Sequence, residues 1–96
     1  MESVNREVVK TSPRFAFFYV MKDEADQVRL AVPNHVSHWR ELHLAGYLGG
    51  PFEDRTGGLI TFEADDPGQA ESAVETDPFV EQGLLEVYWL KDWTPE

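Results

Sequence analysis

The three histidines of this 96-residue chain all lie in one stretch with a helical pattern, residues 33–46. His35 borders the apolar stripe of that helix, one turn before Trp39. Because its side chain titrates nearer to neutral pH than any other, it can serve as a general acid or base. A histidine in this place can equally bond a nearby carbonyl oxygen, and the pattern alone favours that structural role.

The other two histidines are weaker candidates for chemistry. His38 follows His35 by three residues, so the two could share a helix face and hold a divalent ion with the help of a carboxylate. That spacing is common and no acidic pair completes the ligand set, so we predict no metal site. His43 falls within the apolar stripe and is expected to be a packed, hydrogen-bonded core residue.

A second candidate for chemistry is Asp77, which precedes Pro78. The proline confines Asp77 to an extended or turn conformation, where its carboxylate can bond nearby backbone amides. This local role would by itself explain an aspartate at this position. In a functional role, the carboxylate would accept a hydrogen bond from an imidazole and so fix the tautomer of the ring. In a βαββαβ fold the first helix begins and the second helix ends beside the sheet, where His35 and Asp77 can meet.

Hydrophobic patterns predict the elements that position these residues. Arg14–Met21 is rich in aromatic and β-branched residues and is expected to be a strand with two apolar faces. The first helix is predicted to begin at Pro33, where a missing N–H costs nothing, and to end at Gly46. The remaining elements are strands over residues 47–52, 59–64 and 84–93, and a second helix over residues 67–76 that buries Ala70, Ala73 and Val74.

This order of elements predicts an α+β fold of the ferredoxin-like βαββαβ type. It would have a four-stranded antiparallel sheet with two helices on one face. Two short helices cannot cover the second face, although the first and last strands are apolar there too. A second subunit packed sheet against sheet would cover it, so we expect a homodimer. The domain is expected to span residues 14–93, after a flexible arm (1–13, in which Val8 and Val9 could pair at a sheet edge) and before a short tail (94–96).

Composition excludes several classes of function. Eighteen acidic residues against eight basic ones give a formal charge of -10, which opposes binding to nucleic acids and to anionic membranes. The chain contains no cysteine, so thiolate metal sites and cysteine nucleophiles are excluded. The apolar run Phe15–Met21 is too short to span a bilayer, and Met1–Pro13 lacks the apolar core of a signal peptide. We therefore expect a cytoplasmic protein whose partners are neither nucleic acids nor membranes.

Several motifs, taken in order, resemble the YCII-related (YciI-like) domain family over about residues 14–93. They are Pro33-Asn34-His35-Val36, Ala45-Gly46-Tyr47-Leu48 leading into Gly50-Pro51, the strand after Gly57-Gly58, and Asp77-Pro78-Phe79-Val80 followed by Gly83-Leu84. The resemblance implies a dimeric α+β barrel with an active site built from a histidine and an aspartate. On this sequence those residues are His35 and Asp77, with Gly50 and Pro51 lining the neighbouring pocket. Val32-Pro33 stands where the family often has an arginine before its histidine, which leaves the substrate class open.

The resemblance also implies proton-transfer chemistry on small ring compounds, such as elimination of chloride from a hydroxylated aromatic. We therefore predict a small enzyme that needs no cofactor and acts on a small cyclic or phenolic ligand. His35 would be its general acid or base, oriented by Asp77, in an elimination, lyase or hydrolase-like reaction. Trp39, Phe79 and Tyr19 are the expected pocket walls, because small-ligand sites are mostly apolar. One alternative is a non-catalytic ligand-binding or assembly module. Another is a cofactor-free monooxygenase or isomerase, which would need a wider pocket.

Overall fold

The chain folds into a four-stranded antiparallel sheet with its helices packed on one face. A computed structural model describes residues 13–96. The strand order is β2-β3-β1-β4, and every pair of neighbours is antiparallel. This arrangement confirms the ferredoxin-like βαββαβ prediction. The elements are β1 (Arg14–Met21), α1 (Ala25–Glu41), β2 (Leu48–Pro51), β3 (Gly57–Glu63), α2 (Pro67–Glu75), α3 (Pro78–Glu81) and β4 (Leu85–Asp92).

The core lies between the helices and one face of the sheet. Strand β1 is central, so its alternate side chains Phe15, Phe17 and Tyr19 are buried under the helices. The Trp39 ring of α1 packs on Phe17, with the ring centroids 5.9 Å apart. Helix α2 buries Ala70, Ala73 and Val74, as predicted. The short helix α3 lies in the connection between α2 and β4, where no element was predicted. The predicted arm, including Val8 and Val9, lies outside the described residues apart from Pro13.

Helix α1 differs from the prediction at both ends. It begins at Ala25, so Pro33 lies inside the helix instead of in its first turn. A proline in a helix interior removes one backbone hydrogen bond. The helix nevertheless continues before Pro33, and Ala31, two residues earlier, is buried in the core. The helix ends at Glu41, and Gly46 follows in the loop with a φ of 65°.

The buried face of the helix also differs from the predicted apolar stripe. Its buried residues are Ala31, His35 and Trp39, whereas Val32 is 40% exposed. The prediction that His43 packs in the core is wrong. Residue His43 follows the end of the helix, is exposed, and has a left-handed backbone with a φ of 51°. The apolar stripe inferred from the sequence assumed that the helix continued to Gly46.

The second face of the sheet is apolar, as predicted. Phe18 of β1 lies opposite Leu59 of β3 and Trp89 of β4, and the three side chains are 39–44% exposed. The Phe18 ring contacts Trp89 and also Phe52, each at a centroid distance of 5.2 Å. No element within residues 13–96 covers this surface, which we call the open sheet face. Among the helices described, none is long and apolar enough to cross a membrane.

Candidate active site

The structure brings His35 and Asp77 into direct contact, although 42 residues separate them in the sequence. The Nδ1 atom of His35 lies 2.9 Å from Oδ2 and 3.0 Å from Oδ1 of Asp77. Asp77 is fully buried and His35 is 8% exposed. The contact is therefore shielded from bulk water, where an interaction of this kind would be weakened.

The Asp77 carboxylate is held by two donors besides His35. Its Oδ1 atom accepts from the backbone N–H of Phe79 at 2.8 Å, which caps α3. Its Oδ2 atom accepts from the indole N–H of Trp39 at 2.8 Å. A buried carboxylate requires such donors, because its desolvation would otherwise be very costly. The Asp77 side chain thus makes both the local backbone contact and the contact with a distant imidazole.

The ring of His35 is fixed in one orientation. Phe79 stacks on it at 4.0 Å between centroids and 11° between planes, while Tyr19 meets it edge-on at 5.9 Å. An ionised carboxylate accepts hydrogen bonds but cannot donate them. The Nδ1 atom of His35 therefore carries the proton that is donated to Asp77. The Nε2 atom then holds the lone pair. It has no hydrogen-bond partner in the described part of the chain and is not enclosed by protein.

His35 opens onto a cavity of about 320 Å³. This volume lies at the lower end of the range for small-molecule sites. Four predicted wall residues line it: Tyr19, Gly50, Pro51 and Phe79. Trp39 does not, since it is 1% exposed and lies behind the cavity, bonded to Asp77. The full lining is Tyr19, Met21, Val28, Val32, His35, Val36, Arg40, Tyr47, Gly49, Gly50, Pro51, Arg55, Gly57, Ile60 and Phe79.

Two tyrosine hydroxyls belong to this environment, and both stay protonated at neutral pH. Burial raises the pKa of Tyr19 far above its ordinary value, and the nearby Asp77 charge raises it further. Burial also raises the pKa of Tyr47, with the Arg40 cation opposing the effect. Gly58 lies opposite Tyr19 on the neighbouring strand, where a Cβ atom would collide with the hydroxyl. The glycine therefore leaves room for the Tyr19 phenol.

Among the lining residues that the sequence did not reveal, three have polar side chains: Arg40, Tyr47 and Arg55. The apolar stripe predicted for the first helix did not include Arg40, and Arg55 falls in the connection between two predicted strands. No sequence signal identifies Arg55 as part of the site, because its left-handed backbone, φ 64°, is seen only in the structure.

His38 serves a different purpose from His35. Its Nε2–H donates to the carbonyl oxygen of Ala73 at 2.8 Å, which ties α1 to α2. Its ring also meets Trp39 edge-on at 5.3 Å. Within residues 13–96 there is no group of three or more potential ligands arranged to hold a metal ion. The hydrogen bond to Ala73 gives His38 a structural role, because it helps to hold in place the helix that carries His35.

These features define a small ferredoxin-like α+β domain with a buried histidine–aspartate pair at the edge of a cavity. The chain belongs to the YCII-related domain family, whose family model matches residues 14–94. A comparison with curated proteins gives no significant match.

Solved structures of the same fold include an enzyme. The chain is similar to 5-chloro-2-hydroxyhydroquinone dehydrochlorinase (TftG) from Burkholderia phenoliruptrix, in its complex with 2,5-dihydroxybenzoquinone. The TM-score is 0.73 at 25% identity, covering 84% of this chain and 93% of that chain. A Pseudomonas aeruginosa protein has a TM-score of 0.58 at 13% identity, covering 90% of this chain and 96% of that one. A candidate antibiotic biosynthesis monooxygenase from a Bacteroides species has a TM-score of 0.52 at 15% identity, with 88% of each chain covered. The last two likenesses concern the fold alone.

Proposed function

We propose that this protein is a small enzyme that moves a proton on a hydroxylated ring compound, with His35 as the acid–base residue. The observation that carries the proposal is the contact of His35 Nδ1 with the fully buried Asp77 carboxylate. Because Nδ1 is engaged by Asp77, the other ring nitrogen, Nε2, is left to act as the base in the cavity. Asp77 is a positioning residue, because it contacts His35 and is separated from the cavity by it.

An elimination illustrates the chemistry that this arrangement supports. The ring reacts as its keto tautomer, in which a hydroxyl proton has moved to the carbon that bears the leaving group and made that carbon tetrahedral. The Nε2 atom takes a proton from a second ring hydroxyl or an acidic ring carbon of this tautomer. The electron pair left behind forms a double bond and expels an anion, such as chloride, from another ring carbon. The proton on Nε2 then passes to water, so the products are the unsaturated ring compound, the anion and a proton. The Asp77 carboxylate stabilises the imidazolium that exists between the two transfers.

Tyr19 has a complementary part in this scheme. Its neutral hydroxyl borders the cavity and has no hydrogen-bond partner within residues 13–96. It can donate to the substrate oxygen on which negative charge develops. A donor already in place at a developing oxyanion lowers the barrier without needing to reorganise.

The similarity to TftG supports ring dehydrochlorination as the first reaction to test. That protein is a dehydrochlorinase of a chlorinated hydroxyhydroquinone, and 25% of aligned residues are identical. The cavity of about 320 Å³ favours a single-ring ligand over a polycyclic one. This size weighs against the monooxygenase alternative.

The test uses 5-chloro-2-hydroxyhydroquinone and a panel of related chlorinated phenols, with chloride release as the signal. We expect wild-type turnover, and a loss of about 10²–10⁴-fold in His35→Gln, the range for removal of a general acid–base residue. His43→Gln is the matched control, because it makes the same substitution at an exposed residue outside the helix. Full turnover by His35→Gln would contradict the proposal. No turnover of the panel by the wild type would favour a non-catalytic binding module.

We also propose that the protein is a homodimer that joins through the open sheet face. The support is a continuous apolar surface of Phe18, Leu59, Val87 and Trp89, side chains that are 39–44% exposed. Monomeric domains seldom leave a sheet face of this kind in water. Packing two such faces would bury aromatic side chains from both subunits.

A further inference from the structure

We propose that Arg40 and Arg55 form an anion-recognition pair, so that the cavity selects ring compounds bearing an anionic oxygen. The group recognised would be a carboxylate or an ionised ring hydroxyl. The inference deepens the proposed function, and rests on it in taking the His35 cavity as the ligand site.

The first support is the distribution of charge. The chain carries eighteen acidic and eight basic residues. Among the described residues that line the cavity there are nevertheless two arginines and no aspartate or glutamate. Asp77 lies behind His35, fully buried and engaged by its donors. The cavity is therefore a cationic site in a strongly anionic protein, which would attract and retain a negatively charged ligand.

The second support is that both arginines lack an acidic partner in the part of the chain that the structure describes. Within residues 13–96, Arg14 pairs with Glu63 and Arg29 pairs with Asp26. Arg40 and Arg55 make no ion pair in the same part of the chain. Within residues 13–96, no hydrogen bond or ion pair engages either guanidinium group. Such groups recognise carboxylates and related anions through paired hydrogen bonds.

The third support is the backbone of Arg55. It adopts a left-handed conformation with a φ of 64° in the loop between β2 and β3. Its N–H donates to the carbonyl oxygen of Phe52 at 2.9 Å, and the next residue, Thr56, bonds the Asp54 carboxylate. The loop is also tied to β1, where Met21 N–H donates to the Thr56 carbonyl oxygen at 2.8 Å. These bonds fix the loop that carries Arg55 at the cavity.

Arg55 also joins the cavity to a neighbouring groove. The groove is lined by Lys22, Arg29 and Arg55, with Asp23 as its one carboxylate in the described lining. The two spaces share Met21, Val28, Val32 and Arg55. An anion that enters by this route meets basic side chains before it reaches the apolar interior. Ring stacking on apolar walls and a cation near the entrance together fit an amphipathic, negatively charged ring.

The experiment compares three ring ligands of similar size, with affinity measured by titration calorimetry at pH 7. They are 2,5-dihydroxybenzoate, which carries a carboxylate, 2,5-dihydroxybenzoquinone, which carries ionised ring oxygens, and the neutral 2,5-dihydroxybenzamide. We expect at least one anion to bind wild-type protein about tenfold more tightly than the amide, as charge-assisted hydrogen bonds predict. Which anion does so identifies the recognised group. Arg40→Gln and Arg55→Gln should bring the ratio close to one and leave the affinity for the amide unchanged.

Two further variants keep the result interpretable. Lys91→Gln removes one positive charge from an exposed strand position away from the cavity and should leave the ratio unchanged. Arg55→Gly removes the charge while suiting the left-handed backbone, so it should fold normally and still lose the preference for anions.

Three outcomes would overturn the inference: equal affinity for all three ligands, no binding of either anion, or a preference that survives in both arginine variants. Each can be told apart from failure of the proposed function, because His35-dependent turnover is measured separately and does not depend on the affinity ratio.

Discussion

Replacing Asp77 by asparagine should reverse the tautomer of His35 and abolish its role as a base. With the amide NH₂ group in the place of Oδ2, 2.9 Å from Nδ1, a donor faces that ring nitrogen and favours the tautomer in which Nδ1 accepts. The proton then moves to Nε2, the atom that faces the cavity. We therefore expect chloride release to fall by about 10²–10⁴-fold while the ring stays in place.

The same substitution has a predictable cost in stability. The carboxylate accepts from His35, Trp39 and the Phe79 backbone, whereas an amide offers only one oxygen. If that oxygen continues to cap α3, the NH₂ group faces the indole N–H of Trp39, and a buried donor loses its partner. This costs about 1–3 kcal/mol in the free energy of unfolding. For a domain of this size, the melting temperature should fall by about 4–24 °C.

A double variant separates the tautomer effect from the stability effect. Trp39→Phe removes the donor that Asp77→Asn leaves without a partner. The double variant should therefore be more stable than the sum of the single effects predicts, because the two sites share one hydrogen bond. Turnover should not recover, since the wrong tautomer persists.

Nitrogen-15 NMR of the imidazole ring reads the tautomer directly, with stopped-flow chloride release as the activity assay. The wild type should show a protonated Nδ1 and an unprotonated Nε2, and Asp77→Asn should show the reverse. Full turnover by Asp77→Asn, or an unchanged tautomer, would refute the reasoning.

Two further predictions concern the sheet and Tyr19. Trp89→Lys places a charge on the open sheet face, so it should convert the dimer into a monomer by light scattering at micromolar concentration; a wild-type monomer would refute the dimer proposal. Because the folded pKa of Tyr19 is raised from an ordinary value of 10.0, its contribution to stability is complete below pH 10 and is lost as the pH rises above it. The free energy of urea unfolding should therefore fall less between pH 8 and pH 10.5 in Tyr19→Phe than in the wild type; parallel slopes would contradict this.

The sequence was most informative where the periodicity was simple. Alternation along β1 correctly divided Phe15, Phe17 and Tyr19 from Ala16, Phe18 and Val20, because a strand in the middle of a sheet must satisfy two faces. The second apolar face followed from the same pattern. The contact between His35 and Asp77 could be expected from topology and family resemblance, but its distance could not.

The first helix shows where local signals fail. Pro33 favours a helix start, yet α1 extends for two more turns before it, because Val28 and Ala31 pack against the core. The proline removes one backbone hydrogen bond, whereas the turns before it add the contacts that Val28 and Ala31 make with the core. The incorrect start and end also rotated the predicted face, which is why His43 was misplaced in the core and Arg40 was missed at the cavity.

Sequence reasoning described the role of Trp39 in the site incompletely. Trp39 was expected to line the pocket, and it instead donates a hydrogen bond to the buried carboxylate. An aromatic residue in a helix pattern indicates burial, but the direction of its N–H depends on tertiary packing. Arg55 was missed for a related reason, since a turn residue is recognised as part of a site only when the surrounding surfaces are known.

The most direct test of the central claim is chemical rescue of His35→Ala. If His35 acts through proton transfer, the variant should lose at least about 10²-fold in chloride release, and added imidazole should restore part of the rate by occupying the vacated space. The restored rate should rise with imidazole concentration, while the wild-type rate should not change. A His35→Ala rate within about twofold of the wild-type rate, in the absence of imidazole, would contradict the role that we assign to His35.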